Sequence, residues 1–299
     1  MRLASLGYAA LNAAGVTTVA RRLRSAGVIL CYHNVIPDRD AGLWSGLGLH
    51  MPFATFARQM RWLAATYDVI PLSQFVDRVT SGTSRRGTAA ITFDDAYLGV
   101  FQQAWPLLRD LGLPATVFVV ADAPDRDADF WWDHPDVMRA YSAGQARHWL
   151  TTLHGDGDLI LKSLGRNVNG PQRPPRACRP APWEIIQDAA RSGLGLGVHS
   201  ATHRALSALN EIELRHEVIA SRDKIARRAG VTPPDFFAYP YGLWSDRVRD
   251  VVRSAGYRAA FALQTARGGR PDPWTLPRLN VPAGIEDHAF HAWAAGLHP

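Results

Sequence analysis

Cysteine is scarce in this chain. Cys31 and Cys178 are the only two in 299 residues and stand far apart, so a disulfide framework is excluded and a reducing compartment suits the chain. Long apolar runs are missing as well. No stretch of eighteen residues escapes polar interruption, which argues against a membrane-spanning helix. Nothing combines a basic patch with interleaved aromatics, so no nucleic-acid partner is expected. The 33 basic and 27 acidic side chains leave a net charge of +6, but the excess is spread out. Its densest point is "RRLR", Arg21 to Arg24. A mildly basic, solvated surface is the plain reading.

What the sequence does hold begins with "MRLASLGYAALNAAGVTTVARRLR". One early Arg and small apolar residues resemble a leader, but Asn12, Thr17 and Thr18 interrupt the apolar stretch. Residues 1–25 are expected to form an amphipathic helix ending in a basic turn, able to lie against a membrane surface. A cytoplasmic, membrane-peripheral setting is favoured over secretion. The sequence is silent on oligomeric state.

From residue 26 the signals for strands and helices alternate. "GVILCYH", "TAAITF", "PATVFVV", "LGLGVHS", "DFFAYP", "YRAAFAL" and "WTLPRLNV" read as strands. Between them lie helical patterns, with Ser73 as the expected N-cap of one and Gly82 just past its end. Pro106 is expected to kink or restart the helical segment from Tyr97 to Leu111, and a long helix is expected from about Ser207 to Ala229. Residues 121–182 break the rhythm with three Trp and the run "NGPQRPPRACRP", and read as an irregular insertion. The remainder, 26–299, reads as one α/β domain with parallel strands, either a barrel or an open wound sheet.

Both architectures collect their chemistry at the carboxyl ends of strands. "ITFDD" ends in Asp94 and Asp95, "GLGVHSATH" carries His199 and His203, and "FFAYPYG" carries Tyr239, Pro240 and Tyr241. Two imidazoles four residues apart point the same way on a compact turn. With one carboxylate they make a common three-ligand set for a catalytic zinc ion. A cation against one aspartate also explains how two adjacent carboxylates tolerate each other. Alone, each motif has a plainer explanation: a histidine pair on the surface or in the core, or an Asp-Asp helix cap. Together, at one face of one sheet, they favour a metal site. "GLGLG" (193–197) enters a strand and opens no helix, so it is not a dinucleotide loop.

"TFDDAY", "HSATH" and "FAYPYG", in this order, resemble the polysaccharide deacetylase family (NodB homology, carbohydrate esterase family four), and "VILCYHNV" resembles the start of its bacterial members. The resemblance spans about residues 26–282. It implies a distorted (β/α) barrel of about seven parallel strands and metal-dependent removal of acetyl groups from N-acetylated sugars of a polysaccharide or surface glycan. By position, Asp94 corresponds to the catalytic base. Asp95, His199 and His203 correspond to the metal ligands, and Tyr241 to a backbone donor for the oxyanion. The implied cofactor is a divalent ion, zinc first, with Co2+, Ni2+ or Mn2+ as alternatives.

The chain departs from the family pattern in three places. Ala96 replaces a common Gly, which is tolerable if its φ is negative. Ala238 stands where the family carries an Arg that orients the base, and Arg278 of "LPRLNV" is the proposed substitute. "TLPRLNVP" lacks the general-acid His, leaving His33, His288 and His291 as candidates. Trp131 and Trp132, with Tyr239, Pro240 and Trp244, are the candidate sugar-binding residues. Two other readings remain: an O-acetyl esterase or other metal amidase on the same scaffold, and a carbohydrate-binding pseudoenzyme.

Overall fold

A computed structural model describes residues 2–42, 44, 46–126, 128–165, 173–263 and 272–298. Its strands are β1 (Val28–Tyr32), β2 (Asn34–Ile36), β3 (His50–Pro52), β4 (Asp68–Val69), β5 (Thr88–Phe93) and β6 (Ala115–Val119). They continue with β7 (Gly195–Val198), β8 (Phe236–Ala238), β9 (Ala259–Ala262), β10 (Leu276–Pro277) and β11 (Leu279–Asn280). Eight of them form a nearly closed barrel in the order β10-β9-β8-β7-β6-β5-β1-β11, every pairing parallel. β10 and β11 are halves of one segment split at Arg278. The first half pairs with β9 and the second with β1, which joins the two ends of the wall. The distorted (β/α) barrel of about seven parallel strands is therefore what the chain forms, with one of the seven positions divided in two. β4 adds to the start of β5, and β2 pairs with β3 outside the wall.

Burial on both faces explains the composition of these strands. β1, β5 and β6 are buried at every residue, as parallel strands are when helices cover one face and side chains fill the other. Residues at alternate positions divide between two cores. Val28, Leu30, Ala89, Ile91, Val117 and Val119 pack with helix residues Phe56, Met60 and Leu63. Ile29, Ala90, Phe118, Ala238, Phe261 and Leu276 form a second cluster inside the wall, stopped at one end by Leu72, Phe75, Val76 and Val79. The period of two then aims Cys31, Thr92 and Asp94 along the same inner face, towards the mouth.

Several expectations need correction. The N-terminal segment is two helices, Arg2–Ala13 and Val16–Leu23, broken at Gly15, whose φ of 73° suits glycine. The helix Leu72–Thr80 has Pro71, not Ser73, at its N-cap position, so Ser73 lies in the first turn; Gly82 follows its end with a φ of 72°. Pro106 restarts a helix, Trp105–Asp110, directly after a π-turn at Val100–Ala104. The long helix begins at Glu211, not Ser207, behind an Asn210 capping box with Glu213, and is interrupted by a second π-turn at His216–Ala220. The insertion is not irregular. Helices Pro135–Ala140, Ala143–Thr151 and Gly157–Ser163 build a lobe around Val137, Trp149, Ile160 and Leu161. Part of the expected loop "NGPQRPPRACRP", residues 166–172, lies outside the described residues. No described helix is long and apolar enough to cross a membrane.

Candidate active site

Three strand ends deliver the polar residues to one place. The ladder continues one residue past each strand: Asp94 N–H donates to Tyr32 O (2.9 Å), His199 N–H to Val119 O (2.9 Å) and Tyr239 N–H to Phe261 O (3.0 Å). The chain then turns sharply. Of the seven described non-glycine residues with positive φ, five are here: Asp95 (70°), Ala96 (56°), Ser200 (64°), His203 (62°) and Tyr241 (58°). Each such residue costs roughly 1–3 kcal/mol, and such strain gathers where geometry matters more than local comfort. Ala96 thus fails the condition set for it. It takes a left-handed conformation that glycine adopts freely, with its methyl in the core.

Asp95, His199 and His203 converge. His199 Nε2 and His203 Nε2 are 3.2 Å apart, and Asp95 Oδ1 lies 3.7 Å and 3.5 Å from them. Donors about 2.0–2.2 Å from a tetrahedral zinc ion are separated by roughly 3.3–3.6 Å, so these edges have the size of a zinc cradle. The surroundings fit as well. Asp95 Oδ1 is buried with no hydrogen-bond partner among the described residues, as is His203 Nδ1. His199 Nδ1 lies 2.8 Å from Ala238 O, which makes it the protonated nitrogen and leaves Nε2 as the lone-pair donor. Burial, with the charges of Asp94 and Asp133, pushes the Asp95 carboxyl well above the usual range, a setting in which the anion needs a cation beside it. Burial lowers both imidazoles, His203 further because His199 adjoins it. Neutral imidazoles are the form that binds metal.

Asp94 has a different environment. Arg278 Nη1 and Nη2 donate to its Oδ1 and Oδ2, both at 2.6 Å, a bidentate pair with both residues only 3% exposed. Burial alone would raise the Asp94 carboxyl, but Arg278 and His199 hold it well below the usual carboxylate range. The arginine that meets Asp94 thus comes from the split between β10 and β11, while Ala238 is buried in the inner cluster. Cys31 also faces Asp94, its Sγ 3.4 Å from Oδ2.

A cavity of about 200 Å³ opens over these groups, lined by Asp94, Asp95, His199, His203, Tyr241 and His33, with Leu47, Leu49, Trp131, Trp132, Tyr141 and Trp149 among its walls. Desolvation lowers the His33 imidazole to about 4. Of the three candidate acids only His33 is in the cavity. His288 and His291 sit on the helix Asp287–Ala294, where Asn12 donates to His288 O and His291 stacks on Trp62. Trp131 and Trp132 are cavity walls, and the Trp132 ring lies 4.5 Å from that of His203. Tyr239, Pro240 and Trp244 are not among the cavity residues. Tyr239 is fully buried and donates to Trp274 O, Pro240 is buried beneath the turn, and Trp244 packs on the main core.

Two structural supports escaped the sequence reading. Glu217, buried on the π-turn, accepts from the N–H groups of Ala201 and Thr202 (both 2.9 Å) and from the Thr202 hydroxyl (2.5 Å), so it fixes the loop between the two histidines. Its place on the apolar stripe with Leu214, Val218 and Ser221 was the available signal, a charge where burial was due. The second support is a buried chain. Asn34 donates to His50 Nδ1 (3.0 Å), and His50 Nε2 then donates to Asp133 Oδ1 (2.9 Å). Tyr97 donates to Asp133 Oδ2 (2.7 Å), and Trp132 Nε1 donates to the Tyr97 hydroxyl (2.7 Å). It ties the lobe and Trp132 to the turn that follows Asp95.

Comparison with known proteins agrees with this layout. Residues 81–260, more than half of the chain, match the family described as polysaccharide deacetylase. A curated Bacillus subtilis (strain 168) protein named "Putative polysaccharide deacetylase YxkH" is 21% identical over 272 residues, covering 90% of this chain and 76% of its own. Among solved structures, IcaB from Ammonifex degensii superposes with a TM-score of 0.63 at 18% identity, over 91% of this chain and 98% of that one. The Streptococcus pyogenes deacetylase PplD, solved in complex with acetate, gives 0.62 at 14% identity over the same shares. A de-N-acetylase from Aggregatibacter actinomycetemcomitans gives 0.59 at 16% identity over 87% and 96%.

Proposed function

The chain belongs to the polysaccharide deacetylase family, and from that premise we propose that it removes acetyl groups from N-acetylated sugars of a polysaccharide or surface glycan, using a divalent cation held by Asp95, His199 and His203. Zinc is the first choice for a set of two imidazoles and one carboxylate. The observation that carries the reading is the cradle itself: three donors 3.2–3.7 Å apart, with the buried Asp95 Oδ1 lacking a hydrogen-bond partner among the described residues. When bound, such an ion supplies Lewis acidity to water and to the carbonyl oxygen.

The chain's own residues supply the proton path. Arg278 fixes Asp94 as an anion facing the cavity, placed to take the proton of the attacking water. Paired this way, Asp94 is a weak base, so it holds that proton only briefly. His33, less acidic with its value near 4, has a ring nitrogen within 4.8 Å of an Asp94 oxygen and can receive the proton through one bridging water. From His33 it passes to the departing amine as the carbon–nitrogen bond breaks, giving acetate and a free amino sugar. The Tyr241 N–H, offered by a turn held at a φ of 58°, is the donor assigned to the oxyanion. Losing one such donor typically costs about 10²–10³ in turnover. Trp131, half-buried in the cavity wall, offers an aromatic surface for a sugar ring, and Trp132, 5% exposed and stacked on Phe130, backs that wall.

Metal analysis and an acetate-release assay on N-acetylated oligosaccharide test this together. Asp95→Asn is expected to lose the ion, while Asp94→Asn keeps it and loses turnover. Equal metal content and activity in the two variants would defeat the assignment. Acetate released without new amines would transfer it to O-acetyl ester hydrolysis. We also propose that the helix Val16–Leu23, with Val16, Val19 and Leu23 exposed beside Arg22, makes peripheral contact with an anionic membrane; co-sedimentation with vesicles tests it.

A further inference from the structure

Cys31 has no task in the reaction above, yet it sits against the reaction's base. It and His33 are two residues apart at the end of β1, so both side chains lie on the inner face, and Asp94 ends the neighbouring β5. A ligand atom from each of Cys31, His33 and Asp94 lies within 4.8 Å of the others. The Cys31 Sγ to Asp94 Oδ2 separation of 3.4 Å is close to the sulfur–oxygen edge of a zinc tetrahedron, roughly 3.6 Å for bonds of about 2.3 and 2.1 Å. Thiolate, imidazole and carboxylate are all accepted zinc ligands, and the cavity gives an ion entry through half-buried His33.

We propose that Cys31, His33 and Asp94 form a second, weaker zinc site beside the first, and that filling it switches the enzyme off. Entry of the ion displaces the thiol proton to solvent and replaces it with a sulfur–zinc bond. Asp94 still has lone pairs for the ion while Arg278 donates to its two oxygens. The site is weaker than the first because the guanidinium repels a cation there and burial holds the thiol proton on. Binding stands on geometry alone. The inhibition rests on the reading that Asp94 and His33 move the proton, since both become ligands.

Titration of the metal-stripped full chain with Co2+ tests the proposal. Two equivalents are expected. The first should give a spectrum without sulfur contribution; the second should add a sulfur-to-cobalt charge-transfer band. Cys31→Ser, nearly isosteric, should remove that band and weaken the second equivalent by more than the 10–100-fold that loss of an outer-shell partner typically costs. Cys178→Ser should keep both. One equivalent in the parent chain, or a band that survives Cys31→Ser, overturns the site. Loss of the first equivalent in Asp95→Asn, with the second retained, separates the two sites; retention of the first there indicts the proposed function and not this inference. With Zn2+ in excess, acetate release should fall in the parent chain while the ratio to stoichiometric metal stays near one in Cys31→Ser. Equal inhibition of both would overturn the switch.

Discussion

Replacing Arg278 with Met keeps an apolar stem but removes the two 2.6 Å bonds to a carboxylate that is 3% exposed. Breaking a buried pair from one side typically costs about 3–5 kcal/mol, because the remaining charge has no compensation. Asp94 need not stay charged, however. Without the guanidinium, burial, already the largest single influence on its carboxyl, loses its main opposition, and full burial can raise an acid by about 3–5 units from its ordinary value near 3.9. Asp94 would then be largely protonated near pH 7. The acid limb of kcat/KM should move up by several units, and near pH 6 turnover should drop by the 10²–10⁴-fold that a general base typically contributes. Part of the loss should return by about pH 9, as the carboxyl ionises again. Acetate release across that range and urea unfolding read both effects. The double variant Arg278→Met with Asp94→Asn leaves neither charge of the pair, so it should be more stable than Arg278→Met alone, with a coupling of roughly 2–3 kcal/mol in the cycle. Wild-type turnover with an unmoved acid limb in Arg278→Met would refute the idea that this arginine holds the base.

Glu217→Gln places an amide where one carboxylate oxygen receives two N–H groups and the other a hydroxyl; metal affinity should fall about 10–100-fold with the far-ultraviolet spectrum unchanged, read by competition with a chromogenic chelator, and an unchanged affinity would rule out a positioning role. Tyr97→Phe removes the hydroxyl between Trp132 Nε1 and Asp133, and urea unfolding should show a loss of about 1–3 kcal/mol, whereas a neutral result would mean water substitutes. The metal-free chain should lose stability as pH falls from 6.5 towards 4, since the unfolded His33 takes a proton that burial refuses in the fold until about 4. Above 6.5 both states are neutral there and no effect remains. Within the window His33→Asn should flatten the slope by up to about 1.4 kcal/mol per pH unit, and an identical slope in both would reject the assignment of a desolvated, neutral imidazole.

The parts of this molecule that the sequence displays are those governed by local rules. Strands buried on two faces read as continuous apolar runs, and the strand-end position of Asp94, Asp95 and His199 follows from where those runs stop. The lobe was misread because its helices are short and its Pro and Gly residues resemble loop punctuation. Ser142 and Asp156 cap two of them, but packing around Trp149 is what holds together elements too short to show a period. Ala96 carries no local sign of its left-handed turn, because nothing in its neighbours forbids a negative φ. The demand for a left-handed turn comes from aiming Asp95 at two histidines on another strand.

The pairing of Arg278 with Asp94 depends on something no local rule contains, the closure of the sheet. From the order of strands, β11 lies two steps from β5 by way of β1, or roughly 10 Å at about 4.8 Å per step. An arginine side chain extends roughly 7 Å and an aspartate meets it part of the way. Were the sheet an open wound one, the same segment would attach only through β9, five steps from β5 and roughly 24 Å away, beyond any side chain. Residues 276–280 reach both neighbours because the segment changes partner midway. Pro277 has no N–H to give, Arg278 N–H bonds Ala262 O, and Val281 N–H bonds Cys31 O. Arg278 is the residue at that change of partner, so its side chain enters the barrel where the seam closes. The ion pair is therefore a consequence of the barrel, and its disruption by Arg278→Met examines the topology along with the chemistry.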